Sequence, residues 1–328
     1  MIKNNSYVLV TGGAGYIGSH ACKSLAKNGY IPVTYDNLIN GNKNAVKWGP
    51  FEKGDILDSS KLIKVINKYK PVAIMHFAAH IAAGESVTDP GKYYRNNTMG
   101  GLSVIEAAVA CGIKHIIFSS TAAVYGISEI NPITEDLSTQ PINPYGYSKL
   151  MVEKMLESFS TAYGITYSIL RYFNAAGADP EGEIGCYHKQ PSNLIPVIME
   201  ILAGKREYLE IFGTDYNTQD GTAIRDYIHV SDLASAHVLA LKHLLSGGTN
   251  ILVNLGTGQG YSVKEVVTSS TKVSGKQVPM KNTSRRAGDP PILVSNANKA
   301  YDILGWKAEY TNIDDITSTA WQWQKKIA

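Results

Sequence analysis

The sequence predicts an α/β fold, a doubly wound parallel sheet with a smaller α/β C-terminal domain, and three observations carry that prediction. Short apolar runs alternate with longer helical patterns through the first half of the chain. The first run leads directly into a glycine-rich turn, and the alternation loosens after Asn174. A length of 328 residues is enough for two lobes at about 150 residues each.

The runs at 7–10, 31–35, 72–77, 115–118 and 166–170 are short and rich in β-branched or aromatic residues, as strands buried on both faces are. Helical patterns lie between them at 19–27, 61–69, 101–111 and 148–163. Strand and helix in alternation imply right-handed βαβ units on one parallel sheet. Residues 175–190 are rich in glycine, proline and polar side chains and read as a long loop. Beyond it, 193–202 and 230–245 have helical patterns, and 251–255 is an apolar strand that returns to the sheet. Ser262 followed by Glu265 matches a capping box.

The glycine turn runs Gly12-Gly13-Ala14-Gly15-Tyr16-Ile17-Gly18, after a strand and before a helix. Glycines at 12, 15 and 18 permit a tight turn, close approach of backbone to a pyrophosphate, and close packing of helix on sheet. Amides and partial positive charge at the helix start then face the phosphates. Asp36 ends the second strand, where a carboxylate accepts both adenosine ribose hydroxyls and repels a 2′-phosphate. The sheet is therefore of the Rossmann type, and the cofactor is NAD rather than NADP.

Tyr145 and Lys149 stand four apart in a helical stretch, which places both side chains on one helix face. The 115–118 strand leads into Ser119-Ser120-Thr121, at the carboxyl edge of the sheet where such folds keep their ligands. Taking hydride from an alcohol carbon requires removal of the hydroxyl proton. A phenolate can remove it, although a free tyrosine titrates near ~10. A nearby ammonium and a positive nicotinamide are expected to lower that value. Thr121 would hydrogen-bond the substrate oxygen and relay the proton.

Together, Thr11–Gly18 and Tyr145-Gly-Tyr-Ser-Lys149 resemble the extended short-chain dehydrogenase/reductase family. Further segments resemble its UDP-glucose 4-epimerases: His76-Phe77-Ala78-Ala79, Gly84-Glu85-Ser86-Val87, the run from Phe118 to Gly126, and Leu170-Arg171-Tyr172-Phe173-Asn174. The stretch from Gly213 through Asp220-Gly221-Thr222 to Arg225-Asp226-Tyr227-Ile228-His229-Val230 is the most telling, followed by Arg285-Arg286-Ala287-Gly288-Asp289. The likeness covers essentially the whole chain.

The resemblance implies that residues 1–174 bind NAD, with the chain recrossing near 228–258, and that 175–328 mainly bind a UDP-sugar. It implies cofactor contacts from Gly12, Gly15, Tyr16, Ile17, Gly18, Asp36, Asn37, Asn40, Tyr145, Lys149 and Phe173. Asp55 and Ile56 would flank the adenine, Phe77, Ala78 and Ala79 would line the cofactor, and Asn96 would lie nearby. For the substrate it implies Thr121, Tyr145, Asn174, Asn193 and Leu194 around the sugar and diphosphate, and Ile211 and Phe212 beside the uracil. Arg225, Arg286 and Asp289 would hold the diphosphate and ribose, since guanidinium groups pair with phosphate oxygens in bidentate fashion.

The implied reaction interconverts UDP-galactose and UDP-glucose. Tyr145 takes the C4 hydroxyl proton while hydride leaves C4; the 4-keto sugar turns over, and hydride returns to its other face. A firm grip on the nucleotide and a loose one on the sugar permit both faces to react. Two departures stand out. Threonine occupies position 121, where many relatives have serine, and both supply one hydroxyl. Leu293 aligns where some relatives carry a bulky tyrosine, which leaves room for the N-acetyl group of UDP-N-acetylglucosamine.

Two other enzymes share the scaffold. A nucleotide-sugar dehydratase needs an acid and a base beside the threonine, where this chain has Ala122 and Ala123. An NAD(P)-dependent reductase must exchange its cofactor at every turnover. A non-catalytic dinucleotide sensor is the remaining alternative, with no need for the tyrosine and lysine.

Composition narrows the field further. A net charge of +3 without a basic run argues against nucleic-acid binding. Cys22, Cys111 and Cys186 have no metal-ligand or disulfide spacing and are expected in a reducing compartment. The amino terminus lacks a signal-peptide pattern and no apolar run is long enough for a bilayer, so a cytoplasmic protein is expected. A homodimer is implied by the resemblance.

Overall fold

The structure, a computed structural model, describes residues 5–188, 191–286 and 289–328. In chain order the first elements are β1 (Tyr7–Thr11), α1 (Tyr16–Lys27), β2 (Ile31–Asp36), β3 (Phe51–Lys53), α2 (Ser59–Tyr69) and β4 (Ala73–His76). Then come α3 (Ala83–Thr88), α4 (Pro90–Tyr93), a π-helical turn (Tyr94–Met99), α5 (Gly100–Ala110), β5 (His115–Thr121), α6 (Pro144–Tyr163) and β6 (Thr166–Tyr172). The later elements are β7 (Asn174–Ala176), α7 (Leu194–Leu202), β8 (Leu209–Phe212), β9 (Ile224–His229), α8 (Val230–Leu245) and β10 (Ile251–Leu255). They end with β11 (Gly260–Ser262), α9 (Val263–Ser274), β12 (Met280–Thr283), β13 (Ile292–Leu293), α10 (Asn298–Leu304) and α11 (Ile313–Ile327).

Seven strands form one sheet in the order β10-β6-β5-β4-β1-β2-β3. The reversal of direction beside β1 is the switch point at which doubly wound sheets bind ligands. In register, Thr11 pairs with Tyr35 and His76, and His76 with Phe118. Leu9, Val33, Ile74 and Ile116 from the strands pack with Leu62, Ile66, Ile105 and Leu156 from the helices. These side chains are at most 1% exposed, which accounts for the nearly uninterrupted apolar strands.

The chain divides into two compact units. The first comprises Met1–Gly126, Ser138–Arg171 and Ala234–Val253, and the second Ile127–Leu137, Tyr172–Leu233 and Asn254–Ala328. Residues 127–137 thus belong to the second unit, not to a first domain running unbroken to 174. The physical reason is backbone pairing: Ile133 donates to the Val294 carbonyl, and its own carbonyl accepts from Asn296. Asn254 adds a side-chain bond to the same carbonyl at 3.0 Å.

Strands β11, β9 and β13 form a small sheet that β7 joins through β9, and β8 pairs with β12. Ile198, Ile211, Tyr227, Val266, Ile316 and Trp321 make the core of this unit. The Ser262–Glu265 capping box opens α9. The loop expected from 175 begins later, because Asn174–Ala176 pairs with Tyr227–His229; Lys189 and Gln190 lie outside the described residues. Among the described residues no helix is long and apolar enough to cross a membrane.

Candidate active site

The glycine turn admits no side chain at two positions. Gly12 has φ +74°, and a Cβ there would lie 2.5 Å from the Ala78 amide nitrogen. At Gly18 a Cβ would lie 2.2 Å from the Gly12 carbonyl oxygen. The turn therefore touches the segment leaving β4, which brings Phe77, Ala78 and Ala79 beside it. Gly15 caps α1 in extended conformation with no capping side chain, and Tyr16 and Ile17 begin the helix. An anion fits such a helix start. This bare backbone cradle suits the pyrophosphate of a dinucleotide.

Asp36 ends β2 and is 7% exposed. Its Oδ2 accepts from the Ala14 amide at 3.0 Å and its Oδ1 from the Leu38 amide at 2.8 Å. Burial pushes this carboxyl up, and the two amides pull it back. Each carboxylate oxygen can accept a second bond, so capacity for ribose hydroxyls remains. Asn37 donates to Asp55 at 2.9 Å, and Asn40 lies 3.3 Å from the His80 ring nitrogen. Ile56 packs against Gly100, where a Cβ would meet its methyl at 2.4 Å. Asn96 donates to Asn97. Phe77 rests on His237 with centroids 4.6 Å apart.

Helix α6 begins at Pro144, with the Asn143 side chain accepting from the Gly146 amide. Proline at the first position costs nothing because that amide has no intrahelical partner. Tyr145 consequently sits in the first turn, where the helix dipole favours an anion. The Thr121 hydroxyl hydrogen-bonds the Tyr145 phenol. Lys149 is buried, and its ammonium donates to the Ser119 carbonyl at 2.8 Å.

The titration behaviour shows what the protein does without the nicotinamide charge. In the protein by itself Tyr145 is held above its ordinary value, because burial outweighs the Thr121 hydrogen bond. Burial also draws Lys149 down to about 7, and the Glu153 carboxylate opposes that fall. Desolvation penalises both charged forms, so proximity of the two residues is not enough to acidify the phenol.

The sequence assigns no role of their own to several residues that hold this site. Ser119 and Ser120 anchor the helix through a carbonyl and a hydroxyl, and Glu153 and Arg171 lie buried beneath it. Glu153 continues the spacing of four from Tyr145 and Lys149, a signal visible in the sequence. Asn97 accepts from the His80 amide and donates to the His80 carbonyl and Ser148. Its place in a π-helical turn had no sequence signature, although such turns recur at functional sites.

Within the second unit the structure pairs several expected substrate residues. Arg225 donates to Asp289 at 2.5 Å, and the Arg286 guanidinium lies 3.8 Å from the centre of the Phe212 ring. Ile211 is buried on β8 beside Phe212. Asn174 donates to the Asp226 carbonyl from β7. Asn193 caps α7 without a side-chain bond, and Leu194 begins that helix. Phe173 follows β6 and also belongs to this unit. Asp226, fully buried, accepts from Thr257, Gly258 and Ser295. That web fixes β9, and with it the backbone of Arg225.

A doubly wound sheet with this turn, an acidic residue ending β2 and a threonine–tyrosine–lysine set defines a short-chain dehydrogenase/reductase-type enzyme. The model of the NAD dependent epimerase/dehydratase family matches residues 8–256, and the chain belongs to that family. It is 49% identical to a UDP-glucose 4-epimerase of Rhizobium meliloti (strain 1021), over 98% of each chain. The crystal structure of UDP-glucose 4-epimerase from Brucella ovis in complex with NAD superposes with a TM-score of 0.95 at 50% identity, covering 97% of this chain and 98% of that one. The UDP-Glc/GlcNAc 4-epimerase of Campylobacter jejuni superposes with a TM-score of 0.86 at 41% identity, covering 98% of this chain and 100% of that one.

Proposed function

We infer that the chain is an NAD-dependent isomerase that interconverts UDP-galactose and UDP-glucose by transient oxidation at C4, with Tyr145 as the base. The observation that carries the reading is the Thr121–Tyr145–Lys149 set at the carboxyl end of β5, in a chain nearly half identical to UDP-glucose 4-epimerases along its whole length. When bound, NAD takes up the hydride and gives it back.

The chain's own residues do the rest. Gly12, Gly15 and Gly18 leave backbone open to the pyrophosphate, and Asp36 selects the ribose without a 2′-phosphate. Thr121 orients the C4 oxygen and passes its proton to Tyr145. Lys149, as an ammonium, favours the phenolate once it is charged, and the position of Tyr145 in the first helical turn adds to that preference. Arg225, Arg286 and Asp289 hold the diphosphate and ribose, and Phe212 and Ile211 border the uracil. Binding energy from the nucleotide leaves the sugar free to present either face.

Purified protein given UDP-galactose, with no NAD added, is expected to form UDP-glucose. A Tyr145→Phe variant should keep its NAD and lose activity by about a thousandfold. Undiminished turnover in that variant would refute the assigned base.

Activity on UDP-N-acetylglucosamine is proposed as well, supported by Leu293, which lies on β13 opposite Arg225 in the β-ladder, and by the likeness to the Campylobacter enzyme. Turnover of both sugars tests it, and a Leu293→Tyr variant should lose the N-acetylated one first. A homodimer is supported by apolar side chains exposed on and beside α6, namely Tyr147, Met151 and Met99; light scattering reads the mass directly. A cytoplasmic location is supported by three cysteines that form no disulfide.

A further inference from the structure

Three consecutive residues of β5 fasten three successive turns of α6. The Ser119 carbonyl accepts from Lys149, the Ser120 hydroxyl donates to Glu153, and Thr121 bonds Tyr145. The helix residues are spaced by four, so the strand end and one helix face match bond for bond. Ser120 and Glu153 are at most 1% exposed. Behind Glu153, Arg171 of β6 closes a two-pronged ion pair, with Nε to Oε1 at 3.0 Å and Nη2 to Oε2 at 2.6 Å. The Arg171 guanidinium in turn lies 4.9 Å from the centre of the Tyr125 ring.

We propose that the Glu153–Arg171 pair is a positioning unit for catalysis: through Ser120 it sets α6 in register on β5, and its carboxylate, one turn along the helix, favours the charged form of Lys149. The proposal rests on the reading of Tyr145 as the base. A buried ion pair is weak evidence for stability in itself, because desolvation offsets the attraction. Its place here, one turn beyond the lysine and bonded to the residue before Thr121, gives it a different use.

Among the charged groups named around Lys149, Glu153 is the anion. From β5 it meets the Ser119 carbonyl and the Phe118 ring, whose centre is 4.9 Å from Nζ. From β4 it faces His76, which burial and the lysine hold neutral. On α6 the neighbours are Tyr145 and Glu153. Glu153 itself faces Ser120, Arg171 and, farther off, Tyr167, which burial, Glu157 and then Glu153 hold above its ordinary value. Burial alone favours the free amine at Lys149, and Glu153 is the anion that opposes it.

The test compares pH profiles. Phenolate formation at Tyr145 is read as the ultraviolet absorbance difference between the purified protein and its Tyr145→Phe variant, with kcat followed in parallel. A Glu153→Gln change keeps an acceptor for Ser120 and removes the negative charge. It should move the phenolate midpoint up by about one pH unit, a tenfold change in that equilibrium, and move the kcat profile with it. Should Glu153→Gln alone fail to fold, the Glu153→Gln, Arg171→Met double change also removes the guanidinium that the single change leaves unpaired, and an upward shift is again expected. A midpoint unmoved in the folded variant would overturn the proposal even if kcat falls. Normal turnover in Tyr145→Phe would instead overturn the reading beneath it.

Discussion

Lys149 donates its ammonium proton to the carbonyl of Ser119 at 2.8 Å, two residues before the threonine that meets the Tyr145 phenol. One strand end therefore places both the cation and the hydroxyl of the proposed proton relay. The helix supplies the spacing of four, and the strand supplies the register.

Replacing Lys149 by methionine removes the cation and preserves the length of the side chain. kcat is expected to fall by about a hundredfold to a thousandfold, with KM for the UDP-sugar changed far less. Steady-state kinetics on the purified variant would separate the two. An equal loss in KM would place Lys149 in substrate binding instead.

Gly12→Ala should release NAD. The new methyl meets the Ala78 backbone at 2.5 Å, and the positive φ disfavours any side chain. The cofactor bound per chain after purification is expected to drop well below that of the parent, with a lower melting temperature. Full cofactor content in the variant would contradict the assigned cradle.

Asp36 is the residue proposed to select the cofactor. Asp36→Ala removes the acceptor of ribose hydroxyls and the bonds to Ala14 and Leu38. NAD affinity should weaken by about tenfold or more, roughly 1.4 kcal/mol, while discrimination against NADP shrinks. Calorimetric titration of the cofactor-stripped variant with each dinucleotide measures both.

Much of this organisation is legible in the sequence because it rests on local rules. The glycine turn, Asp36 and the Tyr145/Lys149 spacing each follow from one element's geometry. So does the Ser262–Glu265 capping box. Assignments fail where partners come from far along the chain. The segment 127–137 joins the second unit through Val294 and Asn296, about 160 residues distant, and nothing local announces that. Strand β7 looked like loop because Asn174-Ala175-Ala176 has no strand alternation; its pairing with β9 decides it. The state of Tyr145 in the protein by itself is illegible in sequence for a related reason: counting charges omits the cost of burying them, and without the nicotinamide charge that cost is the larger effect.

Acid stability should report on His76. Burial holds this imidazole down at about 3 from an ordinary 6.5, with Lys149 adding to the effect. It shares a hydrogen bond with the Thr11 hydroxyl at 2.7 Å. Between those two values the unfolded chain binds the extra proton and the folded chain does not, so stability is lost as pH falls through that window. A His76→Gln variant is expected to lose stability less steeply with acid than the parent. Denaturant melts at several pH values would show parallel slopes if the argument were wrong.

The most direct measurement follows the hydrogen on C4. UDP-galactose carrying deuterium at that carbon, converted in ordinary water by protein with its own cofactor only, should give UDP-glucose that retains the deuterium at C4. Hydride that leaves and returns at one site predicts this retention. Loss of the label to solvent would contradict inversion by transient oxidation and leave Tyr145 without its assigned role.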